Sequence, residues 1–209
     1  MCKCQEVQRH KAAVANLTVD ANLPAESEQM DIDGMELNHP DTRDIVSAAR
    51  EYIEQQEPPM LYLYGKNGTG KTRIAVAIAK ALIEREMPVY FAYFPAMLDD
   101  LRRGQFTGRD YAGQDQSDLI DKTRAKGLLI LDDLGLYKVT PWAELQVDAV
   151  IGYRYMMGLR TVITTNVKLS SLPVRMQSRL RDAAKCRVVV TDAPDYRVNN
   201  APRFKAKKG

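Results

Sequence analysis

Gly65-Lys66-Asn67-Gly68-Thr69-Gly70-Lys71-Thr72 matches G-x-x-x-x-G-K-[ST] and lies where that pattern has physical meaning. Before it, Met60–Tyr64 is an apolar run of strand length. After it, Lys71–Glu86 carries apolar residues at helical spacing. A glycine-rich turn between strand and helix lets the backbone curl until several N–H groups point inward, forming an anion cradle. The helix that starts there adds the positive end of its dipole. Gly65, Asn67, Gly68, Thr69 and Gly70 shape this cradle. Lys71 is placed for the β- and γ-phosphates of a nucleotide, and the Thr72 hydroxyl for Mg²⁺. ATP with Mg²⁺ is the ligand this element predicts.

Two further strand ends complete the pattern. Leu128-Leu129-Ile130-Leu131-Asp132-Asp133 is an apolar strand finishing in two acids. Beside a phosphate cradle such a strand delivers carboxylates to the metal. Asp132 is the expected Mg²⁺ residue, and Asp133 is placed to orient or deprotonate the attacking water. Thr161-Val162-Ile163-Thr164-Thr165-Asn166 ends in an amide. Asn166 can hydrogen-bond the γ-phosphate or the water there, although a strand-end asparagine also starts turns without any ligand.

Around these elements the chain alternates. A helix capped by Asp41 or Thr42 is expected to run to about Gln56, ended by Pro58 and Pro59. Strands are expected at Met60–Tyr64, Val89–Phe94, Leu128–Leu131, Thr161–Thr164 and Arg187–Thr191. Helices are expected at Lys71–Glu86, Pro95–Arg103, Ser117–Lys126, Pro141–Met157 and Pro173–Ala184, with a glycine-bearing polar loop over Gly104–Gln116. Alternation of this kind implies an α/β fold: a mostly parallel sheet with helices on both faces and ligands at the strands' carboxyl ends. Residues 1–40 read as a short, weakly structured extension, 41–200 as the nucleotide-binding domain, and 201–209 as a basic tail.

The 209 residues, 45% apolar and 27% charged, suit one such domain plus an extension. No apolar run approaches the ~18–20 residues of a membrane span. Three cysteines do not suggest a disulfide framework, and the first residues lack the apolar core of a secretory signal. A cytoplasmic protein without membrane contact is expected. The net charge of +3 conceals an asymmetry. Residues 21–60 hold two bases against ten acids, whereas 61–209 hold 25 bases against 15 acids. That pattern suggests a polyanionic partner, or simply a solvated surface.

The three elements in this order resemble the AAA+ ATPases. The narrower resemblance is to DnaC/DnaI-type replicative helicase loaders and the related IstB-type transposition helpers. It rests on "LLILDDLG" (128–135), "YRYMMGLRTVITTN" (153–166), "VRMQSRLRD" (174–182) and "PDYR" (194–197). It implies a P-loop NTPase domain of the AAA+ type. About forty residues follow Asn166, too few for the last strand and a C-terminal helical lid, so no lid is expected.

Other roles follow from the resemblance alone. Arg179 matches an arginine finger that reaches a neighbouring subunit's γ-phosphate, so self-association is implied. Arg175 and Arg181 stand nearby as alternatives. Arg197 matches the sensor arginine of the loaders. Arg102, Arg103 and Arg109, with Phe106 and Tyr111, occupy an insertion suited to single-stranded DNA, or form a flexible surface loop. "CKCQEVQRH" (2–10) is similar to the end of a cysteine motif. Yet Cys2, Cys4 and His10 supply three possible ligands where a structural zinc site is closed by four.

The function expected is that of an ATP-hydrolysing loader acting on a replicative helicase and single-stranded DNA. A transposition helper and a nucleotide-switched adaptor with incidental hydrolysis are the alternatives.

Overall fold

Why the strands form is legible in their burial. Leu61, Tyr62 and Leu63, and all of Leu128–Leu131, are fully buried. Runs that are apolar on both faces suit a parallel sheet sandwiched between helices. The computed structural model describes residues 3–35, 37–55, 57–107, 123, 126–135 and 141–196. Its order is α1 (Lys3–Asp20), α2 (Pro40–Glu54), β1 (Met60–Gly65), α3 (Lys71–Ile83), β2 (Val89–Tyr93) and α4 (Phe94–Thr107). Then come β3 (Leu128–Asp132), α5 (Pro141–Met156), β4 (Arg160–Thr165), α6 (Val174–Leu180) and β5 (Cys186–Thr191). The five strands stand in the order β2-β3-β4-β1-β5, all parallel.

That order places β4 between β1 and β3. Leu63 of β1 lies beside Thr164, and Ile163 beside Leu131. The carboxyl ends of the phosphate-loop strand and the acid-bearing strand therefore flank Thr164–Asn166. One core cluster joins α2 and α3 to one face of the sheet, around Ile45, Ala49, Ile74 and Ile78. A second joins α4, α5 and α6 to the other, around Met97, Val150, Ile151 and Met176.

The N-terminal stretch differs from the weakly structured extension expected. Lys3–Asp20 forms an 18-residue helix. His10, Ala13, Val14 and Leu17 are its partly buried positions, at the i, i+3, i+4, i+7 spacing of one helical face. Val14 and Leu17 pack on the first core cluster, and His10 Nδ1 lies 2.8 Å from Glu86 Oε1. The stripe is narrow and the rest of the helix polar, so tertiary packing rather than propensity stabilises it. Just beyond, the Phe91 N–H donates to Ala21 O (2.8 Å) and Asn22 Nδ2 donates to Phe91 O (2.9 Å). These bonds cover the β2 edge, which would otherwise expose unpaired backbone groups.

Smaller corrections have local causes. α2 is capped by His39, whose Nδ1 accepts from the Asp41 N–H at 3.2 Å, with Pro40 in the first turn. Thr42 is instead buried. α4 continues through Gly104 to Thr107, past the expected loop start. α6 ends at Leu180, four residues before the expected end at Ala184. The expected helix at 117–126 falls almost entirely outside the described residues, as do Arg109, Tyr111, Arg197 and the tail. Among described residues no helix is long and apolar enough to cross a membrane.

The charge asymmetry is partly consumed within the chain. Asp31 pairs with Lys80 at 2.5 Å, Glu51 with Arg187 at 2.6 Å, and Glu54 with Arg85. Acids of residues 21–60 thus meet bases of residues 61–209.

Candidate functional site

A cavity of about 490 Å³ opens at the carboxyl end of the sheet. Asn67 to Arg73 form its floor, with Asp132, Asp133, Thr164 and Tyr93 at one end. Glu26, Met30, Met35, Thr42, Ala193, Pro194 and Tyr196 line the rest.

The floor is the sequence-predicted loop. Gly68 and Gly70 have φ of +75° and +87°, a conformation that glycine adopts without Cβ strain. Gly70 precedes α3 directly, so the loop runs into the helix N-terminus. A Cβ on Gly68 would fall 1.9 Å from Asp195 Oδ1. The Tyr196 N–H donates to Gly68 O at 2.9 Å, so the segment after β5 lies across the loop. Lys71 is buried. Its Nζ donates to Gly65 O (2.8 Å), Lys66 O (2.6 Å) and Thr69 Oγ1 (3.2 Å), which centres the ammonium in the loop.

The acidic end is organised by Thr164. Its hydroxyl donates to Asp132 Oδ1 at 2.7 Å and accepts from the Asp133 N–H at 2.9 Å. Asp133 has φ of +56°, unusual for a residue with a side chain, and this bond helps hold it there. Asp132 is 5% exposed. Burial pushes its carboxyl above the ordinary range, opposed by hydrogen bonds from Thr164 and Thr72 and by the Lys71 charge, and reinforced by Asp133. Thr72 and Asp132 both line the cavity, to which they bring a hydroxyl and a carboxylate. Hard oxygen donors and a carboxylate raised by burial fit a magnesium ion, whose charge would relieve it. Asn166 Nδ2 donates to Asn67 Oδ1 at 3.2 Å, tying the end of β4 to the loop.

Arg179 lies elsewhere. It pairs with Asp148 of α5, and its guanidinium rests against Gly152. It is not part of the chain's own cavity. Arg102 makes a 3.6 Å pair with Asp99 on α4, and Arg103 follows on the same helix. Among described residues no cluster of three metal-ligating side chains exists; Cys4 is exposed and His10 serves the Glu86 contact.

Sequence reasoning missed Thr164, although it stands inside the quoted "ITTN". It also missed Tyr93, Met30, Met35 and Thr42, which no local pattern marks. Pro194 and Tyr196 belong to "PDYR", where attention fell on Arg197.

A family model described as IstB-like ATP binding protein matches residues 2–199. The chain belongs to the IstB-like ATP-binding family. This membership accords with the nucleotide cradle just described and with the resemblance drawn from sequence. An IstB-like chain of this kind is 31% identical over 120 residues to the replicative helicase loader DnaI of Bacillus subtilis (strain 168). The match covers 56% of this chain and 36% of that relative, so the chain spans about a third of its length. Among solved structures, the DnaC helicase loader superposes with a TM-score of 0.70 at 21% identity, covering 81% of this chain and 100% of that one. A DnaI structure gives 0.67 at 22%, covering 83% and 94%. AMPPCP-bound DnaA from Aquifex aeolicus gives 0.65 at 15%, covering 80% and 51%. These likenesses establish the P-loop AAA+ fold for the IstB-like chain.

Proposed function

We propose that this protein is a magnesium-dependent ATPase that acts as a loader of a replicative helicase onto single-stranded DNA. The observation that carries the chemistry is the convergence of Lys71, Thr72, Asp132 and Asp133 on one cavity, through Thr164. Asn67 to Thr72 bind the triphosphate, with backbone N–H groups and the α3 dipole opposing its charge. Thr72 and Asp132 hold Mg²⁺, which supplies charge neutralisation on the phosphates. Asp133 takes the position that orients the attacking water and accepts its proton. Asn166 hydrogen-bonds the γ-phosphate or that water. Water then displaces the γ-phosphoryl group in line, giving ADP and phosphate, with catalysis from positioning and charge.

Arg179 is supplied in trans. Its place on α6, away from its own cavity and held by Asp148, supports this reading. A guanidinium from a neighbouring copy would complete the charge balance on the transferred group. Arg197 acts as the sensor arginine, and Arg102, Arg103 and Arg109 contact DNA phosphates. The work is cytoplasmic. The loader client is supported by the likeness to DnaI. A second reading, a helper for DNA transposition, is favoured by the family match itself, which extends over residues 2–199.

The test is ATP turnover as a function of protein concentration, with and without single-stranded DNA. Specific activity rises with concentration if the arginine acts between copies. Fast turnover independent of concentration would sink that part. A Lys71→Ala protein that takes up labelled ATP as well as the unaltered chain would sink the whole reading. Recovery of bound partners by an Asp133→Asn variant held with ATP separates the clients: a replicative helicase or a transposase.

A further inference from the structure

Val167 follows Asn166 directly, and buried side chains take both of its backbone polar groups. Its N–H donates to Thr165 Oγ1 at 2.9 Å, and its carbonyl accepts from the Tyr62 hydroxyl at 2.9 Å. Tyr62 and Thr165 are both fully buried. Tyr62 belongs to β1, the strand that leads into the phosphate loop, and lies in the second core cluster with Met60, Leu131 and Ile163. The Thr165 hydroxyl also donates to Leu134 O, and the Leu134 N–H donates to Thr164 O at 2.9 Å. Leu134 in turn follows Asp133. The turn that carries Asn166 is thus bonded both to the strand before the loop and to the residue after the second acid.

We propose that Tyr62 and Thr165 are positioning residues for hydrolysis, which lock the Val167 backbone so that the Asn166 amide keeps its place relative to the phosphate loop and Asp133. The inference rests on the ATPase reading above and adds what sets the amide in that site. A phenyl ring would fill the same apolar space as Tyr62. A buried hydroxyl is costly unless it is bonded, so the phenol has a task beyond packing. Burial pushes its pKa up, which keeps it a donor. The carbonyl it meets lies past the end of β4 at Thr165, beyond the ladder with β1. A side chain therefore does there what a strand does elsewhere. The Asn166 amide donates to Asn67 Oδ1 at 3.2 Å, so it lies against the phosphate loop. To turn from Asn67 to a γ-phosphate oxygen or a water, it needs a backbone that stays in place. Tyr62 and Thr165 supply that backbone.

Steady-state phosphate release with MgATP separates positioning from binding. Tyr62→Phe lowers kcat about tenfold and leaves KM for ATP within about twofold, because the loop still holds the phosphates and only the geometry at the water is disturbed. Thr165→Val lowers kcat at least as far, and Thr165→Ser recovers most of it. In an Asn166→Ala background, Tyr62→Phe changes kcat by less than about twofold, since its effect passes through that amide. A second readout needs no turnover. In the nucleotide-free Tyr62→Phe protein, amide hydrogen exchange quickens about tenfold over the peptide from Asn166 to Leu169, while α2 and α3 exchange as in the unaltered protein. Unchanged exchange in that peptide, or a kcat within about twofold of the original, overturns the proposal. So does a full tenfold loss in the Asn166→Ala background, which would mark a general loosening of the core. Failure of the ATPase reading is distinct: the unaltered protein then releases no phosphate at any concentration, and the proposal falls with it.

Discussion

Replacing Thr164 with valine removes one hydroxyl and keeps the branched shape, so the effect isolates a single oxygen. That oxygen is buried, donates to Asp132 Oδ1 at 2.7 Å and accepts from the Asp133 N–H at 2.9 Å. Losing two hydrogen bonds removes about 1 kcal/mol each, and leaving Asp133 N–H and Asp132 under-satisfied adds about 1–3 kcal/mol. The variant is therefore less stable by about 3–5 kcal/mol, measured by urea denaturation. The catalytic loss has a separate origin. The Asp133 backbone sits at a positive φ that the hydroxyl helps retain, and its relaxation moves the carboxylate proposed to orient the water. A displacement of about 1 Å lowers turnover about 100-fold. ATP affinity rests on the loop and changes little. The assay is phosphate release at saturating MgATP, with ATP binding measured separately. Thr164→Ser restores both hydrogen bonds and most of the activity. A valine variant that turns over within about threefold of the unaltered protein would refute the idea that this hydroxyl organises the acids.

Asp132→Asn abolishes magnesium-dependent turnover, yet it stabilises the metal-free protein at neutral pH. The folded-state pKa of Asp132 is raised by burial, so its folded form binds the proton more tightly than the unfolded chain. Stability of the metal-free protein therefore falls as pH rises through that window, and thermal melts across acid to neutral pH show a smaller fall in the asparagine variant. Arg179→Ala loses turnover by about 10³-fold while still binding ATP. Mixing it with a Lys71→Ala protein, whose arginine is intact, restores part of the turnover if the arginine acts between copies; no recovery at any ratio argues against this. Gly68→Ala must leave a φ of +75° and displace Asp195, so ATP affinity drops at least tenfold by titration and stability by about 1–2 kcal/mol.

The parts of the site that could be read in advance are those whose chemistry is local in the chain. Gly65 to Thr72 needs only a turn and a helix start, and both follow from residue type. Asp132 and Asp133 sit at the end of a run too apolar to be anything but buried. Thr164 escaped notice because its role depends on β4 lying between β1 and β3, an order no single strand encodes. Met30 and Met35 escaped because methionines in a polar stretch carry no local sign of the cavity they line. α1 was missed because four partly buried positions on an 18-residue polar helix give a weak periodic signal.

What the sequence determined by itself was the phosphate cradle, the acid-bearing strand and the α/β alternation, since backbone curvature, helix dipole and strand burial act over a few residues. The tertiary structure alone decided that Thr164 bridges the two acids, that Arg179 pairs with Asp148 and does not line its own cavity, and that the acidic arm folds back to wall the site. Those outcomes depend on strand order and on side chains far apart in the chain meeting across the fold, which neither spacing nor composition encodes.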